Sequence, residues 1–213
     1  HGTCKYTYSD GSVYDGEWQE DKQHGTGKLT YADGSVSEGQ WQKNQQHGTA
    51  KHTYADGSVY EGTWQKDQQH GTGKHTYADG SVYEGTWLNG EFHGDNEIRY
   101  PNGNVYQGVY SHGEPPKTGY LTYPNGDIYE GDFKNGIPQG SGKFTFVNDV
   151  KFAGEVKEGE PFGQGKFTYP NGDSYEGSVK GEPHGTGALN YQNGDRYVGE
   201  FKFGIRQGKG EML

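Results

Sequence analysis

His70–Trp87 reads HGTGKHTYADGSVYEGTW, and nearly the same string stands at His1–Trp18, His24–Trp41 and His47–Trp64. The tyrosine of Tyr-x-Gly marks each copy, at Tyr14, Tyr60, Tyr83, Tyr106, Tyr129 and Tyr175, with Ser37 and Phe152 in equivalent slots. The step is 23 residues throughout, except for 22 between Tyr175 and Tyr197. A unit this short cannot bury a core alone, so it must stack on its neighbours. The chain is therefore read as one array over 1–213, with near-identical copies in 1–93 and diverged ones in 94–213.

Each copy holds two stretches of period two, Tyr83–Trp87 and Gly71–Tyr77, which is the alternation of strands. Ala-Asp-Gly follows Tyr31, Tyr54 and Tyr77, and Pro-Asn-Gly follows Tyr100, Tyr123 and Tyr169. Both suit a three-residue hairpin, a type I turn closed by a left-handed glycine. That loop sets Tyr31 opposite Ser35, Leu29 opposite Ser37, Gly27 opposite Gly39 and Gly25 opposite Trp41. The other connection, Gln19 to His24, reads as longer and polar; it is expected to set Trp18 opposite Gly25, Gly16 opposite Gly27 and Tyr14 opposite Leu29. The fold class is all-β: an elongated single-layer antiparallel meander of stacked β-hairpins, about nine repeats.

The register separates two faces. One carries Asp15, Glu17 and Lys28, with Glu38 facing Lys51 and Glu61 facing Lys74. Such exposed cross-strand pairs contribute roughly 0.2–1 kcal/mol each. The other carries rings beside bare backbone. Each ring buries roughly 150–250 Å², a thin core without a second layer. A single layer cannot cover its own aromatic face, and an exposed aromatic stretch marks an interaction site. The expected site is a partner-binding groove along the glycine row. Trp18, Trp41, Trp64, Trp87, Tyr110 and Phe133 flank it on one side, and Tyr14, Tyr60, Tyr83, Tyr106 and Tyr129 on the other.

Composition bounds the function. Hydrophobic residues are 28% of the chain and the mean hydropathy is −1.15, yet aromatics reach 15% and are periodic, which argues against disorder. A net charge of −10 offers no basic footprint for nucleic acid and disfavours anionic membranes. One cysteine, Cys4, makes no disulfide framework, which suits a reducing, cytoplasmic setting. The column His1, His24, His47, His70 and His93 is spaced roughly 10 Å apart, too wide to share one metal. His52 and His75 are expected to pack against tyrosines on the aromatic face. The carboxylates have lysines for neighbours and nothing to desolvate them, and the glycine motifs lack the strand-to-helix setting of a phosphate loop. No catalytic residue, metal or cofactor is expected.

Tyr-Glu-Gly-x-Trp, then His-Gly-x-Gly, then Thr-Tyr-x-Asp/Asn-Gly at this period resembles the MORN repeat (membrane occupation and recognition nexus) over essentially the whole chain. The resemblance implies a twisted single-layer sheet and a non-enzymatic role in scaffolding or in binding a partner peptide or helix, with cytoskeletal or membrane association. Its alternatives are a membrane- or phosphoinositide-associated targeting module and the regulatory repeat domain of a larger enzyme. Open terminal strands near Gly2–Tyr8 and Gly208–Leu213 are expected to pair, giving a homo-oligomer.

Overall fold

The computed structural model describes all 213 residues and contains strands and turns but no helix. Two compact units divide it, His1–Pro115 and Pro116–Leu213. The first holds β1 (Gly2–Thr7), β2 (Val13–Gln19), β3 (Lys22–Thr30), β4 (Val36–Gln42), β5 (Gln45–Thr53), β6 (Val59–Gln65), β7 (Gln68–Thr76), β8 (Val82–Leu88), β9 (Glu91–Arg99) and β10 (Val105–Tyr110). The second holds β11 (Thr118–Thr122), β12 (Ile128–Lys134), β13 (Ile137–Thr145), β14 (Lys151–Lys157), β15 (Glu160–Thr168), β16 (Ser174–Lys180), β17 (Glu182–Asn190), β18 (Arg196–Lys202) and β19 (Ile205–Met212). Within each unit every strand pairs antiparallel with its neighbour in the chain, so each is an all-β meander.

The three-residue hairpins form as read. The Tyr31 N–H donates to Ser35 O at 2.8 Å and the Gly34 N–H to Tyr31 O at 3.0 Å. Gly34 has φ +89°, the left-handed conformation that the turn requires and glycine adopts without steric cost. Beyond the turn Leu29 faces Ser37, Gly27 faces Gly39 and Gly25 faces Trp41.

The other connection corrects the sequence reading. It is a tight two-residue turn, with Glu20 and Asp21 both left-handed at φ 51° and 57°. Strand β3 therefore begins at Lys22, and Trp18 faces Gln23, not Gly25. Tyr14 facing Leu29 and Gly16 facing Gly27 still hold, because a bulge absorbs the difference: Glu17 alone stands opposite His24, Gly25 and Thr26. The side chain after Tyr-x-Gly clamps this bulge. A carboxylate or amide oxygen accepts the backbone N–H two residues beyond His24, His47 or Gln139, Glu17 from Thr26, Gln40 from Thr49 and Asp132 from Ser141, each at 2.9 Å. Where the clamp is Thr63 or Thr86, its hydroxyl donates instead to His70 O or His93 O. A register that turn chemistry alone would set is thus reset by a bulge.

The charged face keeps the expected pairing, with Glu38 facing Lys51 and Glu61 facing Lys74, while Asp15 faces Lys28 and Glu84 faces Glu97. Ion pairs form on the other flank of the lysines, Lys51 to Glu61 at 2.9 Å and Lys28 to Glu38 at 3.9 Å.

Candidate functional site

The aromatic face is built on the tyrosine of Tyr-x-Gly. Tyr14, Tyr60 and Tyr129 are wholly buried although each sheet is one layer thick. They achieve this by lying across the glycines. A Cβ on Gly16 would come 2.7 Å from Tyr14 Oη, one on Gly62 2.6 Å from Tyr60 Oη, and one on Gly73 would collide with the Tyr60 ring. The hydroxyls reach past the glycines to backbone carbonyls: Tyr14 donates to Glu17 O at 3.2 Å, Tyr60 to Thr63 O at 3.3 Å and Tyr129 to Asp132 O at 2.8 Å. Burial, with the nearby Glu17 charge adding to it, pushes the Tyr14 hydroxyl up to about 12, so it is a proton donor at any physiological pH.

The tryptophans close on these tyrosines edge to face. Tyr14 lies 5.2 Å from Trp18 and 5.5 Å from Trp41; Tyr60 lies 5.2 Å from both Trp64 and Trp87. The indole N–H of Trp41 donates to Gly27 O at 3.0 Å and that of Trp87 to Gly73 O at 3.4 Å. Tyr106 meets Tyr110 at 6.5 Å and Tyr129 meets Phe133 at 5.3 Å, again edge to face. Tyr83 instead stacks on Phe92, 5.0 Å away. Trp41, Trp64, Trp87, Tyr106 and Tyr110 are buried, while Trp18, Tyr83 and Phe133 are half-buried.

The expected site residues are thus brought together on one face, but as interlocked core. The glycine row is a seat for the first-strand tyrosines and not an open floor between two walls. That corrects the groove expected along it: a glycine row in a lone sheet is filled by the nearest long flat ring, because nothing else can cover it.

The open part of the face lies one row further toward the three-residue turns. In the first unit a ladder of rings runs along it. His52 sits 5.8 Å from Tyr31 and 4.3 Å from Tyr54; His75 sits 5.4 Å from Tyr54 and 4.1 Å from Tyr77, nearly parallel to both. Both histidines pack against tyrosines, as their position on the face implied. A hollow of about 480 Å³ opens beside this ladder, lined by Tyr54, Trp64, His75, Tyr77 and Trp87, with Asp56 and Asp67 at its edges. Two polar groups of this lining, the Trp64 indole N–H and both ring nitrogens of His75, are buried without a hydrogen-bond partner in the chain. Burial holds His75 and His52 below the ordinary histidine range, so both rings are neutral at pH 7. The second unit has a hollow of about 490 Å³ at the matching place, walled by Tyr169, Pro170, Tyr175, Pro183, Leu189 and Phe201.

Tyr54, Tyr77 and His75 were legible as members of the aromatic face, but not as its open edge. The signal that separates them is position in the hairpin: the residue next to the turn has no glycine opposite on which to lie down.

No cluster of histidine, cysteine and acidic side chains is arranged to hold a metal ion, and no helix is long and apolar enough to cross a membrane.

A family profile described as MORN repeat matches nine stretches, residues 1–13, 14–36, 38–59, 60–82, 83–105, 129–150, 152–174, 175–196 and 197–213. No curated protein compared with the chain matches it. Among solved structures the wild-type TCP10 domain of Danio rerio CPAP is similar at 14% identity and TM-score 0.57, covering 92% of this chain and 94% of that one. Its E1021V mutant gives 14% identity and TM-score 0.56 over 92% and 93%. The same wild-type domain in complex with a peptide of Danio rerio STIL gives 16% identity and TM-score 0.35 over 100% and 97%. At these identities the likeness concerns the fold alone.

Proposed function

The chain belongs to the MORN-repeat family, and from that premise we propose that it is a non-catalytic docking module whose aromatic face holds a protein or peptide partner. MORN repeats point to an interaction or membrane-targeting role, and the hollow at Tyr54, Trp64, His75 and Tyr77 carries the choice. It joins the flat, half-buried rings of Tyr54 and Tyr77 to the exposed carboxylates of Asp56 and Asp67. An occupant that covers these rings gains affinity from the apolar surface it buries.

The rings Trp18, Trp41, Trp64, Trp87, Tyr110 and Phe133 form the base of the proposed surface, with Tyr14, Tyr60, Tyr83, Tyr106 and Tyr129 holding them from beneath. Contact falls on the half-buried Trp18 and on the turn tyrosines. The membrane-targeting alternative works against a net charge of −10.

The test is affinity for a partner recovered from the native source and then purified. Tyr54→Ser and Tyr77→Ser, whose rings are half-buried, should each weaken binding at least about tenfold, the range of a hot-spot ring. Unchanged affinity in both variants would remove the face from the interface. Sedimentation with phosphoinositide vesicles at moderate salt decides the alternative: co-sedimentation that survives salt would favour it.

A further inference from the structure

We infer that the occupant of the first unit's aromatic face is a basic, proline-rich segment in the left-handed polyproline II conformation. This rests on the docking reading above and names the partner class.

The period is the first argument. Each repeat advances the face by two strands, roughly 9.4–9.8 Å. A polyproline II helix turns once in three residues, about 9.3 Å, so a proline at every third position returns to the same side almost in step with the repeats. An α-helix returns after seven residues, about 10.5 Å, and slips about 1 Å per repeat. An extended strand covers three residues in about 10 Å but turns alternate side chains to opposite faces, so every second contact points away.

Hydrogen-bonding capacity is the second. The donors that line the hollow at its surface are the Tyr54 and Tyr77 hydroxyls and the Gln68 and Asn89 amides. A polyproline II backbone has no internal hydrogen bonds, and its prolines have no N–H, so it presents free carbonyl acceptors. An α-helix has its carbonyls satisfied internally and cannot supply them. The flat rings of Tyr54 and Tyr77, repeating along the ladder, offer pyrrolidine rings an apolar surface of matching size.

Charge is the third. Residues 1–115 carry 16 acidic and 8 basic side chains, against 13 and 11 in residues 116–213. The hollow itself is edged by Asp56 and Asp67 and lined by no lysine or arginine. Arginine or lysine between the prolines would meet these carboxylates and the tyrosine faces.

The test uses the full chain and fluorescent peptides read by anisotropy. The probe is four Pro-Pro-Arg triplets. The controls are four Gly-Gly-Arg triplets, four Pro-Pro-Glu triplets, and an amphipathic helical peptide with the charge of the probe. Pro-Pro-Arg should bind at least about tenfold tighter than every control. Tyr77→Phe, which keeps the ring and removes the donor, should weaken it about fivefold, the effect of one hydrogen bond. A urea midpoint for each variant verifies that the unit is folded. Equal binding of Gly-Gly-Arg, or binding of no probe, overturns the inference. If the helical peptide binds more tightly and Tyr54→Ser and Tyr77→Ser weaken it, the docking face stands and only its polyproline occupant falls. Probe binding that ignores both substitutions removes the face as well.

Discussion

The two units solve one backbone problem in two ways. Opposite each ring of the tryptophan row, a residue at the start of the next strand must satisfy its own N–H. In the first unit that residue is Gln23, Gln46, Gln69 or Phe92; the N–H of Gln23 and of Gln46 donates at 2.7 Å to the side chain of Asn44 or Asp67 in the following turn, whereas the turns after Gln69 and Phe92 place Gly90 and Gly113 there. In the second unit the same place holds Pro138, Pro161 and Pro183, which have no N–H, and the following turns place Gly159, Gly181 and Gly204 there, which have no side chain. The backbone bond in the other direction is kept in both, Asn44 N–H to Gln23 O at 3.1 Å and Gly159 N–H to Pro138 O at 3.0 Å. Two turns of the first unit pair a donor with an acceptor; the second unit deletes both.

The same division runs through the rest of the molecule. All four tryptophans lie at or before Trp87 and all nine phenylalanines at or after Phe92. The buried nitrogens and oxygens without partners, on Gln46, Trp64, His70, His75, His93 and Asn96, all belong to the first unit. Phe144, Phe167 and Leu189 fill the slots that His52 and His75 hold in the first unit. The second unit demonstrates that the repeat does not require these polar groups.

The comparison breaks first if the rings are not equivalent cores. Tyr60→Ala in the first unit and Phe152→Ala in the second should each cost about 3–5 kcal/mol, read in urea by tryptophan fluorescence, which reports only the first unit, and by circular dichroism, which reports both. A loss below about 1 kcal/mol in either would show that its ring is not the keystone. Next come the seats. Gly73→Ala drives a methyl into the Tyr60 ring and Gly165→Ala into the Phe152 ring, and each should cost about 1–3 kcal/mol; an unchanged midpoint would mean that the sheet yields freely there. The edge swap sharpens the contrast. Asp67→Gly alone should lose about 0.5–1.5 kcal/mol with the acceptor for Gln46, and adding Gln46→Pro should recover most of it. If the double variant is worse than the single, the proline–glycine solution is not portable between units.

A pH series separates the units further. Burial lowers the folded-state pKa of His52 and His75, so the unfolded chain takes up protons first as pH falls. The stability of the neutral rings is intact above the ordinary histidine value, about 6.5, and is lost progressively below it. The fluorescence midpoint should therefore fall between pH 7 and pH 5, and His52→Leu with His75→Leu should flatten the fall. A fall that persists in that double variant belongs to other groups. The smallest effect is on the charged face: Glu61→Gln removes the Lys51 ion pair and should cost at most about 1 kcal/mol, vanishing in high salt because both partners are exposed.

Legibility followed the turn chemistry. Ala-Asp-Gly at 32–34 carries a glycine where a left-handed residue is needed, so that hairpin and its register could be read directly. Glu20-Asp21 carries no such mark. Two non-glycine residues in the left-handed region are held there by the strands on either side, and the bulge at Gly25, φ +61°, is the compensation. The glycine of His-Gly-x-Gly records that bulge, although from the string alone it looks like one more ring seat. The aromatic face was legible from period two; its open edge was not, since openness depends on which ring lies down on which glycine.

By itself, then, the sequence determined the period, the two faces, the three-residue hairpins and the family, because each is a local pattern of side-chain size and turn preference repeated at a fixed interval. Only the tertiary structure decided that first-strand tyrosines fill the glycine row and that the hollow opens beside the turn tyrosines. It also decided that Trp64 and His75 keep buried nitrogens without partners. Those outcomes depend on the competition of neighbouring rings for the same bare backbone, a contest between residues on different strands that no single repeat contains.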